Sequence, residues 1–168
     1  LDEARRCLQT AAGSKKPADA EAERQKAIDL LQSAAAKGST EAQDELAHVQ
    51  NAPAILAEAE KVMVSRRKPG MRAKAREMLE KADGCGLPRV TALLNMLQRE
   101  ETEAQTHYQD ALTLLNTDSA DNRRRAISLL TQNANAGFTQ SADLLKQIGV
   151  GQPSANNRTA PGPEPVYS

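Results

Sequence analysis

Small and aliphatic residues recur at intervals of three and four along residues 27–49, AIDLLQSAAAKGSTEAQDELAHV. This spacing places them on one face of a helix. Gly38 falls where the first helix should end, because glycine adopts the left-handed conformation of a helix terminus at little cost. Ser39 or Thr40 can then cap a second helix, whose apolar face includes Leu46. The stretch is therefore predicted to form two short helices joined by a glycine turn.

The same pattern returns in residues 75–97 and 126–148. Four positions keep their spacing in every copy: Ala27, Ala75 and Ala126; Leu31, Leu79 and Leu130; Gly38, Gly86 and Gly137; Leu46, Leu94 and Leu145. A further helix is predicted before each copy. The result is a helical repeat domain over residues 1–149, with three units at about 1–52, 53–100 and 101–149. Units this thin cannot bury their apolar faces alone, so they are expected to stack on their neighbours.

Two places along the chain leave the helix boundaries open. Pro53 is expected to break the helix that begins near Thr40, or to open the next one, because proline lacks the amide hydrogen that continues a helix. The helix that begins near Glu101 is predicted either as a separate element or as a continuation of the one before it.

Residues 150–168 hold four of the eight prolines and little apolar periodicity, which predicts a disordered proline-rich tail.

Composition narrows the possible partners. Lysine plus arginine and aspartate plus glutamate each number 22, so no net charge attracts nucleic acid or an anionic membrane. Aromatic residues make up 2% of the chain, which leaves the core to small and aliphatic side chains. No run of apolar residues is long enough to span a membrane as a helix. The chain begins at Leu1, so we expect a processed product or a fragment of a longer protein, with any signal peptide or lipid anchor outside it.

Candidate chemistry is sparse. His48 and His107 have no second histidine or cysteine at ligand spacing, so no metal site is predicted. Cys7 and Cys85 are expected to be free thiols, and Cys85 lies at a helix C-terminus, which disfavours a thiolate. The sequence predicts no catalytic residue, no cofactor and no enzymatic activity.

The consensus of the three copies is an alanine, a leucine, an alanine pair, a glycine, then alanine and leucine. It resembles the Sel-one-like repeat family, a relative of the tetratricopeptide repeat. Residues 27–49 carry the most complete match, whereas Asp83 and Asn133 depart from it. Residues 19–38, DAEAERQKAIDLLQSAAAKG, are similar to repeats of alginate-export scaffold lipoproteins.

This resemblance implies an all-α fold, a right-handed α–α superhelix or solenoid of about three degenerate units that holds other proteins. Relatives act as assembly scaffolds in bacterial envelopes and in exopolysaccharide secretion, and as adaptors in endoplasmic-reticulum quality control. It favours a periplasmic or outer-membrane-associated location, with the cytoplasm as the alternative.

Two sets of residues are predicted to contact a partner. The first helix of each pair commonly lines the concave face of stacked repeats, and it carries polar outward side chains here. Basic clusters could bind an acidic partner, although the pattern favours a solvated surface balanced by nearby acids. The predicted partner-binding residues are Gln25, Asp29, Gln32, Arg76, Lys81, Ser128 and Gln132, together with Arg66, Arg67, Lys68, Arg123 and Arg124.

The sequence therefore predicts a non-catalytic scaffold or adaptor that binds a peptide or loop of another protein. No nucleic acid is expected as a partner, because no aromatic residues accompany the basic clusters. Two alternatives remain open: a regulatory or targeting domain cut from a larger enzyme or membrane protein, and a helical dimerisation module that forms a homodimer.

Overall fold

The structure is a computed structural model that describes residues 1–149. Its helices are α1 (Asp2–Gly13), α2 (Pro17–Ala36), α3 (Thr40–Val64), α4 (Met71–Ala82), α5 (Pro88–Leu115), α6 (Ala120–Asn135) and α7 (Thr139–Gln147). No strand occurs among these residues, so the all-α prediction is confirmed for the described part of the chain. The tail predicted for residues 150–168 lies outside it.

Residue contacts divide the chain into two compact units. The first spans Leu1–Gln105 and contains α1 to α4 with the beginning of α5; the second begins at Thr106 and contains the rest of α5, α6 and α7. The boundaries predicted near residues 52–53 and 100–101 both fall inside helices, α3 and α5. The division into three stacked units therefore stays a prediction.

Two of the four positions that define the sequence register are buried in the same way in each copy. The first alanine and the first leucine are 0% exposed in all three: Ala27, Ala75, Ala126, Leu31, Leu79 and Leu130. The glycines all have a positive φ, which is 95° at Gly38, 76° at Gly86 and 95° at Gly137. Inward packing of the alanines and leucines is confirmed, as is a left-handed glycine at the helix ends beside Gly38 and Gly137. Gly86 differs, because α4 already ends at Ala82 and the glycine lies in the following loop.

Helices α2 and α6 end in the same hydrogen-bonded turn. The amide of Ser39 donates to the carbonyl of Ala34 over 3.2 Å, and the amide of Phe138 donates to the carbonyl of Asn133 over 3.0 Å. This is the six-to-one bond of a Schellman motif, which places a left-handed glycine between its two ends. Ser39 also caps the next helix, since its hydroxyl accepts from the amide of Ala42.

Pro53 neither breaks a helix nor opens one, and this prediction is wrong. Helix α3 runs continuously through it. Proline has no amide hydrogen, so the carbonyl of Val49, four residues earlier, loses its partner within the helix. The guanidinium of Arg24 on α2 donates to that carbonyl over 2.5 Å. A donor from another helix thus supplies the hydrogen bond that the proline cannot make.

The loop between α4 and α5 packs tightly against α1 and α2. Arg24 donates a second hydrogen bond, over 3.1 Å, to the carbonyl of Cys85 in this loop. A Cβ atom on the neighbouring Gly86 would lie 3.1 Å from Leu8 and 3.2 Å from Ala11. Gly86 is therefore required by close approach as well as by its backbone conformation. Beyond the loop, α5 runs without interruption, so Glu101 continues the preceding helix rather than starting a new one.

Candidate partner-binding surfaces

Helix α2 presents three of the predicted residues to solvent. Gln25, Asp29 and Gln32 are all exposed, and their spacing of four and three places them along one face. The amide of Gln25 donates to the carboxylate of Asp29 over 3.0 Å. The opposite face of α2 carries the buried Ala27 and Leu31. The buried face thus fixes the position of α2, and the side chains on its outer face remain exposed.

The two predicted residues of α4 differ in their availability. Arg76 is 29% exposed and forms an ion pair with Glu101 over 2.7 Å. Lys81 is 63% exposed and lies 3.5 Å from Glu77 on the same helix. A surface pair of the latter kind contributes little to stability. Lys81 is therefore accessible to a partner, whereas the guanidinium of Arg76 is paired with Glu101 on α5.

The three residues of the basic cluster at residues 66–68 also differ in their availability to a partner. Arg66 donates to both carboxylate oxygens of Glu100, over 2.9 and 3.1 Å, and Arg72 donates to the same carboxylate. Burial alone would raise the pKa of Glu100, but these hydrogen bonds outweigh it and hold the pKa below its ordinary value. Arg67 and Lys68 are exposed. Arg66 thus anchors the loop, and the next two residues project from it.

In the second unit, Arg123 donates to the carbonyl of Ile148 over 2.9 Å, immediately after α7. A cation at a helix C-terminus satisfies a carbonyl that has no partner in the helix and suits the helix dipole. Arg124 and Gln132 are exposed on the same helix, α6. Of these three predicted residues, Arg123 therefore has a structural partner, and the other two face solvent.

Ser128 lies in a feature that the sequence did not predict, an open groove of about 540 Å³ between α5 and α6. Its lining residues are Asp110, Thr113 and Leu114 from α5, and Arg125, Ser128 and Leu129 from α6. The sequence carries a signal for it, because each helix repeats a charged residue, a hydroxyl residue three positions later and a leucine four positions later. That pattern marks one face of each helix.

Both histidines have polar partners within the protein. His48 contacts the carbonyl of Lys81 through Nε2. His107 Nδ1 lies 3.3 Å from the side-chain oxygen of Asn133, whose amide donates to the hydroxyl of Ser141 over 3.0 Å. The latter two side chains are buried, and the sequence did not predict this pair.

Cys7 and Cys85 are buried free thiols. Burial raises the pKa of both, and that of Cys85 to about 11 despite the nearby Arg24. Neither cysteine is therefore a thiolate near neutral pH. No group of three or more potential metal-ligating residues occurs in residues 1–149. No helix in this same range has the length and apolar character needed to cross a membrane.

No protein-family model, no curated protein and no solved structure matches the chain. The resemblance to Sel-one-like repeats therefore depends on the residues quoted for it.

Proposed function

We propose that this chain is a non-catalytic scaffold or adaptor that binds other proteins through the outer faces of its helices. The observation that carries the proposal is the common register of the three copies. Each keeps the same alanine and leucine fully buried and a glycine with a positive φ at the same register position. A sequence that repeats its packing residues while varying its outer residues provides a rigid support for a variable surface.

The proposed architecture is a right-handed superhelix of Sel-one-like units. It is supported by the shared turn at the ends of α2 and α6. A rigid surface of this kind loses little conformational entropy when a partner binds, which favours affinity without large apolar contacts. The proposal extends to a bacterial envelope or secretion assembly, and this part depends only on the resemblance of residues 19–38 to alginate-export scaffold repeats.

The outer face of α2 is the part of this surface to test first. Its residues Gln25, Asp29 and Gln32 are exposed, and the hydrogen bond between Gln25 and Asp29 lies within α2 itself. A partner that binds here through hydrogen bonds should lose affinity when the three side chains are truncated together. Interface residues of this type are individually weak, so a triple substitution is the appropriate perturbation.

The experiment compares two triple variants in capture from the native source, followed by calorimetry with the purified partner. The test variant replaces Gln25, Asp29 and Gln32 by alanine. The control replaces Asp44, Gln50 and Asn51, which supply the same two amides and one carboxylate from exposed positions on α3. We expect the test variant to bind at least about tenfold more weakly and the control to bind like the wild type. A native chain that binds no protein would overturn the proposal.

A further inference from the structure

The α5–α6 groove is built from two matching sets of side chains. Each helix contributes a charged residue, then a hydroxyl residue, then a leucine on one face. The leucines, Leu114 and Leu129, are partly buried and pack against the core formed by Ala111, Ala126 and Leu130. They give the groove an apolar floor that the core holds in place. Its volume of about 540 Å³ lies within the range of roughly 300–1,000 Å³ found for ligand pockets.

The charged residues lie on opposite walls. Helices α5 and α6 are joined by the short connection 116–119, as in an antiparallel helical hairpin. Asp110 and Arg125 each lie five residues from the helix end that adjoins this connection. They therefore stand at about the same level on the two helices.

Both of these charged side chains are exposed, and neither forms an ion pair with any residue in the described part of the chain. This contrasts with Arg66, Arg76 and Arg123, whose guanidinium groups have partners within the protein. The groove thus offers one available carboxylate and one available guanidinium above an apolar floor. Such an arrangement is complementary to a ligand that carries both signs of charge around an apolar group.

We propose that this groove binds a short segment of a partner protein that places an aliphatic side chain on Leu114 and Leu129. A basic side chain of the segment pairs with Asp110, and an acidic one pairs with Arg125. The inference rests on the proposed function, because it specifies the chemistry of one partner-binding site. The carboxylate of Asp110 disfavours a polyanion, since it would repel phosphate or uronate groups beside the single cation.

The two hydroxyl residues also fit a polypeptide. Thr113 donates its hydroxyl to the carbonyl of Gln109 over 3.1 Å, which leaves its oxygen to accept from a peptide amide. Ser128 is exposed and can either donate or accept. A peptide backbone carries donors and acceptors in equal supply, so one hydroxyl on each wall matches its needs.

The test selects peptides from a displayed library of random sequences, using the full chain as bait. Selected peptides are then measured against the wild type, Arg125→Glu and Arg99→Glu. The last variant is the matched control, because Arg99 is an exposed arginine on α5 that does not line the groove. We expect enrichment of an aliphatic residue flanked by an acid and a base. Binding should fall about tenfold in Arg125→Glu and remain unchanged in Arg99→Glu.

A second selection on Arg125→Glu should return peptides with fewer acidic residues. Selected peptides that bind both variants like the wild type would overturn the inference. If they instead lose binding to the α2 triple variant, the scaffold function stands and only the groove assignment fails. If the library returns no binder while a native partner binds through α2, the groove assignment likewise fails and the scaffold function stands. Self-association that Arg125→Glu abolishes in light scattering would assign the groove to a second copy and overturn the inference.

Discussion

The hydrogen bond from Arg24 to Val49 leads to a test of how α3 tolerates Pro53. The perturbation is Arg24→Ala, which removes donors from two carbonyls, those of Val49 and Cys85. A hydrogen bond from a charged donor contributes about 1.5–3 kcal/mol, and the Val49 carbonyl would have no replacement within the helix. Because the arginine is only partly buried, water recovers some of this loss. We expect the free energy of unfolding to fall by about 2–4 kcal/mol.

The decisive measurement is the coupling with Pro53→Ala. Alanine restores an amide hydrogen that can donate to Val49, and Pro53 is exposed, so the substitution leaves the core unchanged. With Arg24 present, this new donor meets a carbonyl that is already satisfied. With Arg24 absent, it relieves an unpaired acceptor. We therefore expect Pro53→Ala to stabilise the Arg24→Ala background by about 1 kcal/mol more than it stabilises the wild type.

The assay is urea unfolding of the four proteins of this cycle, followed by far-ultraviolet circular dichroism. Effects of proline on the unfolded chain are the same in both backgrounds, so they cancel in the coupling energy. Arg6→Ala is the control, since Arg6 is an exposed arginine and its removal should change stability by less than about 0.5 kcal/mol. Additivity within about 0.3 kcal/mol would refute the explanation that Arg24 replaces the missing amide.

Three further predictions concern the packing of the helices and one partly buried carboxylate. Gly86→Ala should cost about 1–2 kcal/mol more than Gly84→Ala, because both residues have a positive φ but only Gly86 has close neighbours; equal thermal midpoints would contradict this. Leu31→Asp and Leu130→Asp each place a carboxylate at a fully buried position and should cost at least about 3 kcal/mol; an unchanged thermal midpoint for either would show that the leucine is not packed inside. Glu100 has a lowered pKa, so its contribution is complete above its unfolded pKa of about 4.3 and is lost as the pH falls through the folded value. The stability difference between wild type and Glu100→Gln should thus shrink below about pH 4 in denaturant titrations, and a difference independent of pH would argue against the arginine contacts.

Local patterns predicted much of the fold. The burial of Leu31, Leu79 and Leu130 follows from helical periodicity, and the turn at Gly38 follows from the conformational freedom of glycine. Both depend on residues that are neighbours in sequence. The continuity of α3 could not be predicted in this way, because the donor that compensates for Pro53 comes from Arg24, which lies on another helix.

The candidate partner-binding residues show the same difference between what local patterns predict and what depends on contacts distant in sequence. Exposure of Gln25, Asp29 and Gln32 followed from the face opposite Leu31. The engagement of Arg66 by Glu100 joins residues 34 positions apart, so no local pattern indicates it. The groove beside Ser128 depends on how two helices lie side by side, which sequence periodicity does not determine.

The buried Asn133–Ser141 pair has a consequence for modular engineering. Asn133 stands at the register position of Ala34 in the first copy, and Ser141 stands at that of Ala42. Exchanging α7 for the beginning of α3 would thus put an alanine in place of Ser141 and remove the hydroxyl that accepts from the amide of Asn133. The copies are consequently not interchangeable modules, and a chimera should carry α6 and α7 together.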